Sequence, residues 1–310
     1  MVSGTAFAYV TLLTKTSYLP GVLVLHHGLR VVESKHPLVV MVTPSLPRSA
    51  RDVLRKQGIT LREVEMLQPR EGVHVLAEHD VRFGDTWTKL RGFELVEFER
   101  IVLLDSDMII RRNMDELMEL DLPEDEIAAV HVCACNPRKL AHYPPDWIPE
   151  NCAHTAVTHP GALPPLATPE TPRPYHQLNS GTVVLNPSKE LSDAIVHFLQ
   201  TSDKIATFSF PDQDLLTAFF EGKWRPISWY YNALRTLRFV HPQEWSDEEV
   251  RCLHYILPDK PWKSRATLSD SPFAIVNGWW WEQFDAMIVN LECTDSEGWK
   301  LILANVDNVH

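Results

Sequence analysis

The first third of the chain alternates short apolar runs with amphipathic stretches, a rhythm that restricts it to βαβ units around a largely parallel sheet. Phe7–Leu13 reads as the first strand. Residues 21–30 follow as a helix, because Val22, Leu25 and Leu29 recur at three- and four-residue spacing. Leu38–Val42 is the second strand, and residues 47–57 form a helix opened by Pro47 and closed by Gly58. A third strand is predicted at 61–65. The pattern then predicts a helix from an Asp85 N-cap to about Glu99, burying Trp87, Leu90 and Val96, and a short buried strand at 101–104. This is a Rossmann-like start, and 310 residues can bury a continuous core without disulfides.

The middle of the chain breaks the rhythm. Ten of the 23 prolines lie between Pro137 and Pro174, a density that excludes long helices and central strands. An irregular segment this long inside a compact domain covers a site or moves. His142, Tyr143, Trp147 and Tyr175 give it flat faces with polar tips, suited to a hydroxylated acceptor. Regular structure resumes with a strand at 181–185, a helix at 189–200 and another beginning near Asp212. From residue 264 onward, Trp279-Trp280-Trp281 mark a C-terminal helix packed on the core.

Charge and targeting signals narrow the function classes. The chain carries 29 Lys+Arg against 41 Asp+Glu, a net charge of −12, which argues against a general nucleic-acid or anionic-membrane binder. No apolar run reaches 18 residues, so no membrane span is expected. The N-terminal residues show no basic segment ahead of an apolar stretch. The five cysteines are an odd number, and the nearest glycosylation candidate, Asn186-Pro187-Ser188, carries the forbidden proline. These features point to a reducing cytosol.

Three constellations carry chemistry. The buried run at 101–104 ends in Asp105-Ser106-Asp107, and ligands of open α/β sheets bind beyond the carboxyl ends of strands. Two carboxylates there suit Mn²⁺ or Mg²⁺, which can neutralise a diphosphate leaving group; ordinary turn chemistry is the other reading. Pro211-Asp212-Gln213-Asp214 heads an apolar helix, where acids either cap the helix or grip a polyhydroxylated sugar. His254 is either a structural histidine or the ligand completing an oxygen-rich metal shell, with Lys260 available for phosphate charge. Cys133, Cys135, Cys152 and His154 form a C-x-C…C-x-H set, readable as buried small residues or as a structural zinc site.

Taken in order, these residues resemble the glycogenin and galactinol synthase family of retaining, nucleotide-sugar-dependent glycosyltransferases. The resemblance covers roughly residues 6–262. It rests on Ala8-Tyr9-Val10-Thr11 with Tyr18 and Gly21, Thr86-Trp87-Thr88-Lys89-Leu90, Asp105-Ser106-Asp107, Asn179-Ser180-Gly181, Asp212-Gln213-Asp214, and His254 with Lys260-Pro261-Trp262. The galactinol synthase branch is closer, given Pro37-Leu38-Val39-Val40, the Cys133-Ala134-Cys135 pair, Tyr231-Asn232, His241-Pro242 and the aromatic tail. The resemblance implies a single α/β domain of GT-A fold. Residues 5–135 would form its nucleotide-binding half, 136–176 a Pro-rich insertion, 177–262 the sugar and acceptor half, and 263–310 an aromatic tail.

It also implies roles. Asp105, Asp107 and His254 match the family's metal ligands, with Mn²⁺ as the cofactor and Mg²⁺ the alternative. Leu12, Thr14 and Tyr18 fall where uridine is held. Lys89, Ser106, Asn179, Ser180 and Lys260 fall along the UDP-hexose donor. Asp212 and Gln213 flank the anomeric carbon. The expected partners are a UDP-hexose and a hydroxyl acceptor such as a polyol or glycan. Three departures stand out: Thr217 where the family often has Asn, Leu257-Pro258-Asp259 where a small residue often precedes Lys-Pro-Trp, and Phe239 at the position of glycogenin's self-glucosylated tyrosine. No tyrosine lies between Tyr231 and Tyr255, so self-priming in that manner is not expected. Two other readings compete: a nucleotide-sugar-binding scaffold with a decayed site, and an aspartate-based phosphatase with Asp105 as nucleophile.

Overall fold

In the computed structural model, which describes residues 6–74, 84–141, 143–265 and 271–307, the apolar runs become one seven-stranded sheet and the amphipathic stretches its flanking layers. In chain order the strands are β1 (Phe7–Leu13), β2 (Leu38–Val42), β3 (Thr60–Glu63), β4 (Arg100–Leu104), β5 (Met108–Ile110), β6 (Ile127–His131), β7 (Leu178–Leu185), β8 (Trp224–Pro226), β9 (Ala233–Leu234) and β10 (Cys252–His254). The helices are α1 (Leu19–Val31), α2 (Arg48–Lys56), α3 (Lys189–Thr201), α4 (Pro211–Phe219), α5 (Leu237–Val240), α6 (Ala274–Thr294) and α7 (Ser296–Leu303).

The large sheet runs β3-β2-β1-β4-β7-β6-β8. Its pairs are parallel except around β7, which is antiparallel to both β4 and β6. The architecture is therefore α/β with a mostly parallel sheet, as the alternation predicts. Strands buried on both faces read as continuous apolar runs, and period two sorts their side chains between two cores. Tyr9, Leu13, Val102 and Leu104 point to the face covered by α1 and α6, whereas Ala8, Val10, Ile101 and Leu103 point to the face covered by α3 and α4. A small second sheet, β5-β10-β9, sits at the carboxyl edge of the first.

Several boundaries differ from the sequence reading. The stretch expected as a helix over 85–99 is a 3-10 helix, Thr86–Glu94. Asp85 does not cap it, because its carboxylate accepts from Thr14 Oγ1 at 2.9 Å and pairs with Lys15 Nζ at 2.8 Å. Trp87 and Leu90 are buried as expected, but Val96 is exposed, since the chain leaves the helix before it. The third strand starts and ends earlier, at Thr60–Glu63, and the helix near Asp212 begins at Pro211.

The Pro-rich segment holds neither strand nor α-helix among its described residues, only 3-10 turns at Pro149–Asn151, Ala153–Ala156 and Arg173–His176. It is nevertheless packed: Trp147, Cys152, Ala153 and His154 are buried. His142 lies outside the described residues. The aromatic tail is the expected core helix. In α6, Trp280 stacks on Phe284 with ring centroids 4.9 Å apart and leans on Trp262 at 5.6 Å. Among the described residues no helix is long and apolar enough to cross a membrane.

Candidate active site

The site is assembled where the two sheets meet. β4 ends at Leu104, and the amide of Asp105 still donates to Gly181 O of β7 at 3.0 Å, so the sheet fixes where Asp105-Ser106-Asp107 begins. Directly after Asp107 the chain enters β5, which pairs with β10 in a register opposing Met108 to His254. Tyr255 N donates to Asp107 O at 3.0 Å and closes the junction. Residues 105, 107 and 254, distant in sequence, are thus neighbours by strand register.

Two glycines make room for this turn. A Cβ on Gly21, in the first turn of α1, would sit 2.3 Å from Ser106 O, so only glycine lets the helix press against the Asp-Ser-Asp turn. A Cβ on Gly181 would sit 2.5 Å from His254 Nδ1 and 2.9 Å from Asn232 Oδ1.

The ligand atoms of Asp105, Asp107 and His254 lie within 4.8 Å of one another, and His254 Nε2 is 3.4 Å from both Asp105 Oδ2 and Asp107 Oδ1. Two carboxylates and one imidazole fit a hard or borderline divalent cation such as Mn²⁺ or Mg²⁺. His254 Nδ1 donates to Asn232 Oδ1 at 2.9 Å, leaving Nε2 as the acceptor that faces the carboxylates. The amide chain continues: Asn232 Nδ2 donates to Asn179 Oδ1 at 2.7 Å, and Asn179 Nδ2 donates to Gln213 Oε1 at 3.1 Å. One run of hydrogen bonds therefore ties His254 to the head of α4.

Two lysines set the electrostatics. Lys89 Nζ is 2.5 Å from Asp105 Oδ1 and 3.8 Å from Asp212 Oδ2, and it also bonds Ser180 O. Its burial opposes the charge, but Asp105 and Asp212 outweigh that and raise its pKa. Lys260 bonds Asp107 Oδ2, and donates to Tyr255 O at 2.7 Å. Burial alone would raise the Asp107 carboxyl; Lys260 and His254 instead hold it well below the usual carboxylate range. Asp212 is the opposite case: burial and Asp105 raise it against the pull of Lys89, while Ser180 and Thr86 hydrogen-bond its carboxylate.

A cleft of about 350 Å³ connects these groups. Its walls include every residue that the family resemblance assigns to the metal, the donor or the anomeric carbon: Leu12, Thr14, Tyr18, Lys89, Asp105, Ser106, Asp107, Asn179, Ser180, Asp212, Gln213, His254 and Lys260. Of the aromatic residues proposed for an acceptor, Tyr143 and Trp147 line the cleft and Tyr175 does not. Trp147 stacks on Phe210 at 5.3 Å, and Tyr143 meets both edge-on. Asn136, Arg138 and Leu140 also line it, unannounced by any motif, as do Asp85, Thr86 and Leu257, which the sequence marked without a role in the site. Asn232, outside the lining, entered the sequence reading only through the Tyr231-Asn232 resemblance and with no role; the topology that sets it behind His254 reveals its part.

The second candidate metal set needs a correction. Cys133, Cys135 and Cys152 do converge, but His154 is not with them: its Nδ1 pairs with Glu244 at 2.9 Å and its Nε2 with His131 O at 3.1 Å. The histidine beside the three sulfurs is His241. Sequence proximity suggested the wrong partner because the nearer histidine is engaged by a buried carboxylate.

The fold recurs in solved glycosyltransferases. A galactosyltransferase LgtC structure, in complex with donor and acceptor sugar analogs, matches with a TM-score of 0.58 at 16% identity, covering 90% of this chain and 95% of that one. GlyE of Streptococcus pneumoniae matches with a TM-score of 0.58 at 16% identity over 93% of this chain, which spans 64% of GlyE, just under two thirds. The protein is thus an α/β glycosyltransferase of GT-A fold.

More narrowly, it belongs to glycosyl transferase family 8, whose model matches residues 9–266. It is similar to galactinol synthase 1 of Ajuga reptans, 30% identical over 303 residues, covering 94% of this chain and 85% of the relative. Galactinol synthase 1 of Solanum lycopersicum is 31% identical over 259 residues, covering 83% and 74%. Family membership removes the phosphatase reading of Asp105.

Proposed function

We propose that the chain is a divalent-metal-dependent, retaining hexosyltransferase that moves a hexose from UDP-galactose or UDP-glucose to a hydroxyl acceptor. The observation that carries this is the meeting of Asp105, Asp107 and His254 beside Lys89, Lys260 and Asp212 in one cleft. The similarity to galactinol synthases supports a galactosylated polyol as the first product to seek. Four buried free cysteines support the reducing cytosol as its compartment.

Asp105, Asp107 and His254 hold Mn²⁺, or Mg²⁺, which supplies neutralisation of charge on the departing diphosphate. Lys89 and Lys260 add fixed positive charge along the same path, already oriented by carboxylates and carbonyls. Leu12, Thr14 and Tyr18 form the uridine end, with Tyr18 braced edge-on against Trp262 at 5.5 Å. Ser106, Asn179 and Ser180 contact the donor. Asp212 and Gln213, both in the cleft lining, flank the anomeric carbon, Asp212 orienting donor and acceptor for same-face substitution.

The test is UDP release from both donors, with and without Mn²⁺, by the wild type and by Asp105→Asn and Asp107→Asn. Each variant is expected to lose about a hundredfold or more in rate at a temperature where it remains fully folded. Undiminished release by both variants would remove the assignment. Donor binding without any turnover by the wild type would return the decayed-scaffold reading.

A further inference from the structure

Away from the proposed metal cleft ligands, three segments distant in sequence bring one imidazole against three sulfurs. Cys133 and Cys135 follow β6, Cys152 lies between two 3-10 turns of the Pro-rich segment, and His241 ends α5. His241 Nε2 is 3.7 Å from Cys133 Sγ, 3.1 Å from Cys135 Sγ and 3.6 Å from Cys152 Sγ. All four ligand atoms lie within 4.8 Å of one another, and all four residues are buried. In a tetrahedral zinc site, Zn–S bonds of about 2.3 Å and Zn–N bonds of about 2.0–2.1 Å place ligand atoms roughly 3.5–3.8 Å apart. The observed spacing is close to that of such a shell.

We propose that Cys133, Cys135, Cys152 and His241 bind one structural zinc ion, which clamps both ends of the 133–152 stretch to the end of α5. Each cysteine ligates as thiolate and releases its proton to solvent; His241 ligates as neutral imidazole through Nε2. Four protein ligands close the shell and leave no position for water or substrate, the mark of a structural site. Soft thiolates select zinc, whereas the Asp-Asp-His set beside Lys89 selects a harder cation, so one chain sorts two metals by donor type.

The surroundings suit a thiolate. Ala134 N donates to Cys152 Sγ at 3.3 Å. Glu244 occupies His154, which keeps that ring out of the shell. The clamp has a functional address: Cys133, Asn136, Arg138, Leu140, Tyr143 and Trp147, on the clamped stretch, line the cleft. The inference is independent of which hexose the enzyme moves.

The test starts from full-length protein purified without added zinc and under reducing conditions, dialysed against EDTA to strip loosely held metal, and assayed for metal by mass spectrometry. About one zinc per chain is expected to survive in the wild type and in Asp105→Asn, and to be lost in Cys135→Ser and His241→Gln. Protein grown in cobalt should show a thiolate-to-cobalt charge-transfer band, which keeps the proposal testable on the wild type if the variants fail to fold. Mercurial release of the metal should open residues 136–156 to protease. Metal-free protein with free thiols, a disulfide among the three cysteines, zinc retained by both ligand variants, or cleavage unchanged after zinc release would each overturn it.

Discussion

A methyl group at Gly181 has no space that is not already His254 or Asn232. Gly181→Ala should therefore displace the imidazole from Asp105 and Asp107 without removing any presumed ligand. We expect Mn²⁺ affinity to fall about 10–100-fold, the usual size of an effect exerted through a ligand's support, with UDP binding in the absence of metal retained. Mn²⁺ titration followed by electron paramagnetic resonance would check this, and unchanged affinity would contradict it. Asp214 offers a pH-dependent case. Burial pushes its carboxyl up to about 6, while the Phe210 and Ser209 amides, donating at 2.9 and 2.8 Å, hold it down. Because the folded value exceeds the unfolded one, the folded chain keeps a proton that the unfolded chain releases between about pH 4 and 6. Its contribution is full below that window and lost above it, on the order of 3 kcal/mol. Asp214→Asn should accordingly melt higher than wild type at pH 7 and equal to it near pH 4; matching melts at pH 7 would refute the argument.

Among the elements, the Pro-rich segment and the Lys260 loop act on each other. Arg138 from the former and Arg235 from the end of β9 both grip Asp259, at 3.1 and 3.0 Å, so the cleft wall is tied to the loop that carries Lys260. Leu257 in that loop adopts φ 79°, the left-handed region where a side chain is strained. Tyr143, half-buried and packed edge-on against Trp147 and Phe210, lines this wall. Tyr143→Ala should raise the acceptor KM several-fold while donor hydrolysis without acceptor is unchanged. An unaltered acceptor KM would place the acceptor elsewhere. The same scale explains what the sequence could convey. β1 and β2 were legible to the residue because a buried parallel strand is a continuous apolar run bounded by turn residues. β5, β8, β9 and β10 are two or three residues long, too short for any period, and their pairing depends on partners far along the chain. The Asp-Ser-Asp turn was visible because its residues are adjacent; the bond of Asn232 to His254 and the contact of His241 with the three sulfurs were not, because only tertiary structure brings them together.

For the molecule as a whole, the C-terminal helix is a buttress of the cleft. α6 packs along α1, whose first turn supports Ser106, and its Trp280 leans on Trp262, two residues from Lys260. Trp262 is itself fixed at both ends: its indole donates to Ser17 O at 3.1 Å, and its ring lies against the position a Gly21 side chain would occupy. A path of packed rings thus runs from the tail to the lysine beside Asp107. Trp280 is completely buried and stacks on Phe284, so truncating it leaves a large cavity that the surrounding helices can only partly fill. Trp280→Ala should destabilise the fold by about 3–5 kcal/mol, read as a lowered denaturant midpoint at constant slope. If the buttress also positions Lys260, the variant should, at a temperature where it remains folded, lose affinity for UDP more than Trp224→Ala does, a half-buried tryptophan on β8 at the far edge of the sheet. Equal UDP affinity in the two variants would confine α6 to stability alone.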